Sequence, residues 1–239
     1  MRDHNILSQL DIFILCGGLG KRLRPEVPVI PKVLAHIQGQ PFLGILLEYL
    51  ERQGFRRVIL GVGYKSDMIE EFCRKRQSSL SIEFSKEIEP LGTGGAVKNV
   101  QPLIVSDRFF VLNGDCFCRL PYPRLLDFHL KKDALATLAV HELKEKKDFG
   151  SIILGPNDEI ANFSEKATQT QTPFASVGIY CFNKNIFDLM PEKNAFSIET
   201  EFFPTLVGKK FYGFKTKEAF IDIGTPERYK LAQDIIKNL

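Results

Sequence analysis

From residue 12 to about 140, short β-branched or aromatic runs alternate with amphipathic stretches. That rhythm belongs to βαβ units and restricts the chain to an α/β fold built on a mostly parallel sheet. Strands are predicted over 12–16, 57–62, 80–85, 109–113 and 135–140. Between the first two, Phe42, Ile45, Leu46, Tyr49 and Leu50 recur at helical spacing and end at Gly54, so one apolar helix face should lie on the sheet. Weaker helical patterns cover 66–75, 94–100 and 123–131, and 225–239 makes a closing helix with Thr225 as cap and Pro226 in the first turn. From Phe149 onward the pattern changes to short strands at 151–154, 159–163, 176–182 and 210–214, with a brief helix near 184–189. These extend the sheet and build a second wall. No internal repeat or long linker interrupts the chain. It therefore reads as one interdigitated domain over 11–239, with halves at about 11–145 and 146–239, preceded by a polar extension at 1–10 of unassigned order.

The first strand breaks into a glycine-rich turn, LCGGLGKRLRPEVPVIPK, from Leu15 to Lys32. Gly17, Gly18 and Gly20 let backbone N–H groups approach an anion without a Cβ in the way, and Lys21, Arg22, Arg24 and Lys32 supply charge to neutralise a polyphosphate. Neither G-x-x-x-x-G-K-[ST] nor a complete dinucleotide fingerprint is present. Gly-rich turns between strand and helix are common on structural grounds alone, and it is the cations that favour a phosphate role.

At 239 residues, with 44% hydrophobic and 26% charged residues, the chain has enough apolar material for a substantial core. A net charge of +3 without a clustered basic patch argues against nucleic acid as a partner. Five scattered cysteines without a C-x-x-C pattern indicate neither a disulfide framework nor a zinc knuckle and fit a reducing cytoplasm. The apolar run 12–16 is far shorter than the roughly 18 residues that cross a bilayer, so no membrane association is expected.

Ligands of open α/β sheets sit beyond the C-terminal ends of strands. Four polar clusters fall there: the glycine and arginine loop, the run 87–95 (EIEPLGTGG), Asn113-Gly114-Asp115, and Asp222-Ile223-Gly224-Thr225-Pro226. Asp115 in N-G-D fits a turn cap as well as a ligand. Asp222, flanked by Phe220, Ile221 and Ile223, is costly to place among apolar neighbours unless paired or bound to a metal. Two carboxylates beside a cationic loop point to Mg²⁺ held by oxygen ligands and shared with phosphates. The four histidines show no metal spacing and read as surface or structural. Cys116-Phe117-Cys118 reads as strand packing. Glu165-Lys166 is an exposed ion pair unless its strand ends there, in which case both side chains reach a ligand.

With these residues in view, the chain resembles the sugar-1-phosphate nucleotidylyltransferases from Ile12 to the closing helix. The pieces fall in the family's order: GGLGKRL with Pro31-Lys32, EPLGTGGA at 89–96, NGD at 113–115, FG at Phe149-Gly150, FSEK at 163–166, SVGIY at 176–180 and DIGTP at 222–226. The E-x-E-P-L-G-T-x-G form is similar to guanylyltransferases. It is nearest the bacterial D-glycero-α-D-manno-heptose 1-phosphate guanylyltransferase group, with mannose-1-phosphate guanylyltransferases second. The resemblance implies a Rossmann-like three-layer sandwich with a mixed, mostly parallel central sheet, the nucleotide-diphospho-sugar transferase fold, and a nucleotide-binding half followed by a sugar-phosphate half. It further implies joining GTP to a sugar 1-phosphate, with release of pyrophosphate, in GDP-sugar biosynthesis for lipopolysaccharide, capsule or S-layer glycans.

Carried over residue by residue, Arg22, Lys32 and Asp115 are catalytic, and Asp115 and Asp222 hold Mg²⁺. Leu15, Gly17, Gly18, Gly20, Lys21, Glu87, Pro90, Gly92, Thr93 and Gly114 meet the nucleotide, and Gly150, Glu165, Lys166 and Gly178 meet the sugar phosphate. Glu87 accepts the guanine N1–H and N2–H₂ donors while the Gly92 loop packs on the ring; a surface role for Glu87 stays open on its residue type. Lys21 stands where the family usually has threonine, adding a charge and removing a hydroxyl. The chain ends soon after the closing helix, so no appended acyltransferase or regulatory domain is expected. A homo-oligomer is compatible with the family. A non-catalytic nucleotide-sugar-binding subunit is the rival of another class, and a glycosyltransferase would carry a D-x-D motif that is absent here.

Overall fold

The computed structural model describes residues 6–142, 151–164 and 174–235. In chain order the elements are β1 (Asp11–Leu15), the hairpin β2 (His36–Ile37) and β3 (Gln40–Pro41), α1 (Phe42–Gln53), β4 (Arg57–Val62), α2 (Ser66–Lys75), β5 (Ser81–Lys86) and α3 (Gly92–Asn99). They continue with β6 (Arg108–Asn113), β7 (Cys116–Cys118), α4 (Tyr122–Lys131), β8 (Ala136–Glu142), β9 (Ser151–Leu154), β10 (Ile160–Ser164), β11 (Phe174–Asn183), β12 (Phe211–Thr216), β13 (Phe220–Asp222) and α5 (Pro226–Ile235).

The parallel strands arise where β-branched and aromatic residues run together. Because successive side chains on a strand point to opposite faces, one sequence builds two cores. Ile12, Ile14, Val58, Leu60, Phe110 and Leu112 face a layer that holds Leu43, Leu46, Leu47 and Leu50 of α1, Leu125 of α4 and Ala232 of α5. Phe13, Ile59, Phe109 and Val111 face the other layer, with Val97 of α3 and the Phe202–Phe203 segment. The result is a three-layer sandwich. Helix α1 stops where the sequence places its end, at Gly54 with φ 102°.

Parallel pairs β6–β1, β1–β4 and β4–β5 form one half of the sheet. Strand β11 runs antiparallel to β6, β8 and β9, and β12 lies parallel to β8, so strands from both chain halves share one mixed sheet. The long β11 pairs β6 through Ile179–Asn183 and β9 through Phe174–Ala175. Its pairing with β8 breaks register between Ser176 and Tyr180, and Gly178 sits in that bulge at φ 74°. The C-terminal end of β6 therefore opens toward a gap in the ladder.

Three features depart from the sequence reading. Leu7, in the stretch expected to be a polar extension, is buried in the α1-side core, because the turn closed by Leu10 N–H to Leu7 O tucks it inward. Helix α3 begins two residues earlier than predicted, at Gly92. A π-helical turn at Ile198–Phe202, continued by a 3₁₀ turn, matches no regular apolar period in the sequence. Gly150, Glu165, Lys166 and the last residues of the closing helix lie outside the described residues.

Candidate active site

A cleft of about 400 Å³ opens at the C-terminal ends of β1, β5 and β6. Leu15, Gly17, Gly18 and Lys21 form one wall, Glu87, Pro90, Gly92 and Thr93 a second, and Lys32, Asn113 and Asp115 the floor. The strand ends converge there because β1 lies between β4 and β6 in register, with Leu15 opposite both Gly61 and Asn113.

Glu87 reaches the glycine loop directly. A Cβ on Gly17 would stand 2.7 Å from Glu87 Oε1, so glycine at this position is what admits the carboxylate. Its other oxygen accepts the Leu91 N–H at 3.2 Å. Burial raises the Glu87 pKa, and that single hydrogen bond offsets it in part. A half-buried carboxylate with unused acceptor sites, facing a cleft, is built to take donors from outside.

Lys32 forms an ion pair with Asp115, and both side chains are largely covered. Burial works to raise the Asp115 pKa, but the Lys32 ammonium outweighs it and the carboxyl sits below its ordinary value. Strand β13 then brings in the second acid: Asp222 lies opposite Cys116 on β7, and Ile223 N–H donates to Asp115 O at 3.0 Å. The Asp222 pKa is raised, first by burial and next by the negative charge of Asp115. Two carboxylates that repel one another across a covered floor are a hard-oxygen donor set suited to a divalent cation such as Mg²⁺. The residues fit it. Arg228 donates to Asp222 Oδ2 at 2.8 Å, and Gly224 N–H donates to its other oxygen.

Arg22 lies on the Asp222 side of the floor. A Cβ on Gly224 would come 3.6 Å from Arg22 Nη2, which places the guanidinium over the 222–226 turn and away from the lining of the Glu87 cleft. Gly114 is required by close approach, since its Cβ would fall 2.6 Å from Leu15 O. Gly20 adopts φ 59° and packs on Lys32, whereas among the described residues nothing lies within 4 Å of a Cβ on Gly18. Gly178 stacks its backbone on the Asn113 side chain beneath the gap between β6 and β9.

The second glycine run has a different cause from the one the sequence suggests. Gly92, at φ 70°, would drive a Cβ to 2.6 Å from Phe196 O, and the Gly94 N–H donates to the same carbonyl at 2.9 Å. Thr93 Oγ1 donates to Glu199 Oε2 at 2.6 Å and accepts the Ile198 N–H at 2.9 Å. The Gly92 loop lines the cleft, but its glycines and the Thr93 hydroxyl are shaped by docking to 194–199. The sequence reading left out Glu199 and Arg228. Arg228, in the first turn of α5 six residues after Asp222, could have been found by asking what balances a buried acid. Glu199 could not, because its partner Thr93 is 106 residues away.

Residues 12–238 match the family model described as "Nucleotidyl transferase". The chain is 39% identical over 225 residues to a D-glycero-alpha-D-manno-heptose 1-phosphate guanylyltransferase of Aneurinibacillus thermoaerophilus, covering 94% of this chain and 97% of that one. It is 34% identical to a mannose-1-phosphate guanylyltransferase of Mycobacterium tuberculosis over 97% of this chain and 66% of the relative. The crystal structure of HddC from Yersinia pseudotuberculosis superposes with a TM-score of 0.83 at 36% identity, covering 95% of this chain and 99% of that one. HddC has also been solved complexed with GMP-PN. With a strand-end cleft of this form and a match along nearly its whole length, the chain belongs to the nucleotidyl transferase family.

Proposed function

We propose that this chain joins GTP to a sugar 1-phosphate, with D-glycero-α-D-manno-heptose 1-phosphate as the preferred acceptor, giving a GDP-sugar and pyrophosphate. The carrying observation is that the glycine loop opposes the Glu87 carboxylate at one end of the cleft while Lys32 and Asp115 lie at the other, with Asp222 brought next to Asp115 by the β13–β7 pair. The heptose assignment draws on the relative from A. thermoaerophilus and the base assignment on the HddC complex.

A sugar phosphate with a second pKa of about 6 is largely dianionic at neutral pH, so its oxygen attacks the α-phosphorus without a general base. The barrier is then repulsion between anions. Lys32 counters it beside the floor carboxylates. Arg22, over the 222–226 turn, and Lys21, on the cleft wall, hold the β and γ phosphates as pyrophosphate leaves. Asp115 and Asp222 would hold Mg²⁺, which when bound neutralises charge on the α-phosphate and the attacking phosphate. Glu87 accepts the N1–H and N2–H₂ of guanine, a pair of donors that uracil and thymine lack. Gly150, Glu165, Lys166 and Gly178 complete the reading as sugar-phosphate contacts. A cytoplasmic enzyme of GDP-sugar supply follows from the same reading.

The test is pyrophosphate release from each of the four ribonucleoside triphosphates and dTTP against heptose, mannose and glucose 1-phosphates, with and without EDTA. GTP with the heptose phosphate, lost on chelation, is the expected pattern. A UTP or dTTP preference overturns the Glu87 assignment, and a mannose preference moves the acceptor to that of the M. tuberculosis relative.

A further inference from the structure

The segment from Leu19 to Ile30 carries Lys21 and Arg22 and is seated on the α1-side core by Leu23, with Val27 and Ile30 packed against that core. Its backbone hydrogen bonds among the described residues are internal, from Leu23 N to Gly20 O and from Glu26 N and Val27 N to Leu23 O. Leu23 is buried, but Lys21, Arg22, Arg24, Pro25 and Glu26 are exposed. A segment held this way has low local stability unless side chains tie it down.

Beyond those apolar anchors, the exposed side of the segment is tied to one turn, Gly63-Tyr64-Lys65, which follows β4. The Arg24 guanidinium carbon lies 5.6 Å from the centre of the Tyr64 ring, and Lys65 Nζ lies 5.4 Å from the same centre. Both are within cation–π range. Lys65 Nζ also donates to Val29 O, and Lys65 itself takes a left-handed φ of 53°. Arg24 has no hydrogen bond or ion pair among the described residues, so the ring is what its guanidinium rests on. The same turn abuts the cleft walls: a Cβ on Gly63 would stand 3.5 Å from Gly17 O and 3.6 Å from Glu87 Cβ. A separate ion pair, Lys230 to Glu26 at 3.0 Å, holds the segment at an exposed position.

We propose that Tyr64 is a positioning residue for the nucleoside triphosphate: its ring, through Arg24 and with Lys65 fastening Val29, keeps the segment 19–30 in the pose that presents Lys21 to the cleft and Arg22 to the adjoining 222–226 turn. This rests on the reading of that segment as the holder of the β and γ phosphates. The ring does the work, and the Tyr64 hydroxyl has no partner among the described residues, so phenylalanine should serve as well as tyrosine.

Two readouts test it. In the ligand-free protein, tryptic cleavage after Lys21 and Arg22 should accelerate about fivefold or more in Tyr64→Leu and stay at the wild-type rate in Tyr64→Phe. In steady state, Tyr64→Leu should raise the KM for GTP by about fivefold or more and leave the KM for the sugar phosphate within about twofold. Arg24→Met, which removes the guanidinium at an exposed position, should reproduce both effects if Tyr64→Leu fails to fold. Unchanged cleavage in Tyr64→Leu or Arg24→Met overturns the proposal, as does a Tyr64→Phe protein as impaired as Tyr64→Leu, or an equal rise in both KM values. If the wild-type chain released pyrophosphate from no triphosphate, the guanylyltransferase reading would fall, while the cleavage rates would still decide whether Tyr64 clasps the segment.

Discussion

Glu87 and Arg22 carry the two residue-level tests of the reaction. Glu87 must be ionised to accept two donors, and burial raises its pKa. The GTP KM should therefore climb as pH falls toward that raised pKa, at a higher pH than for an ordinary carboxylate. Glu87→Gln should abolish this acid limb and weaken discrimination between GTP and UTP by about 10-fold or more, as loss of a bidentate base contact does. KM values for both nucleotides between pH 5 and 8 decide it, and a glutamine variant with the wild-type pH profile excludes Glu87 from base recognition. Arg22 lies at the surface over the 222–226 turn. Arg22→Ala should lower kcat about 100-fold with an unchanged unfolding transition. Wild-type turnover in that variant removes Arg22 from the chemistry.

At the scale of elements, the two glycine-rich segments have similar composition and different physical duties. Loop 17–20 keeps space for Glu87 beside Gly17, and among the described residues nothing lies within 4 Å of a Cβ on Gly18. Loop 92–95 accepts the backbone of 194–198, with Gly92 at φ 70° against Phe196 O. Gly92→Ala should cost about 2 to 4 kcal/mol of stability, from left-handed strain plus a collision with backbone that cannot move aside. Gly18→Ala should leave stability within about 0.5 kcal/mol and weaken GTP binding. Urea denaturation and nucleotide titration of the two variants separate these outcomes; equal destabilisation would mean that both loops are structural. The sequence marks both segments as glycine-rich turns, but their difference depends on what lies opposite each one. For Gly92 that is a carbonyl 104 residues downstream, beyond the reach of any local pattern.

For the whole molecule, acid stability should be governed in part by His129, which is 1% exposed and accepts or donates one hydrogen bond at 2.9 Å to Thr137 across the α4–β8 packing. Burial, with the nearby Arg108 charge, lowers its pKa to about 4. The folded chain thus binds fewer protons than the unfolded one between about pH 6.5 and 4. The stability this represents is intact above pH 6.5 and is lost as pH falls through that window, by about 3 kcal/mol in total. Denaturation at pH 7 and 4.5 should show His129→Leu losing less stability over the interval than wild type. An identical loss would show that other groups set the acid limit.

Much of this molecule was legible in the chain alone. The parallel strands, α1 with its Gly54 stop, α2, the short helix after β11, and the four strand-end clusters follow from apolar period and turn chemistry, which act within a dozen residues. The pairing of β13 with β7, which sets Asp222 beside Asp115, the seating of Arg22 over Gly224, the 194–199 segment that shapes the Gly92 loop, and the burial of Leu7 were decided only in three dimensions. Local propensity specifies how each segment bends and which face it hides. Which distant carboxylate, guanidinium or carbonyl then comes to face it is set by packing two cores on the opposite sides of one sheet.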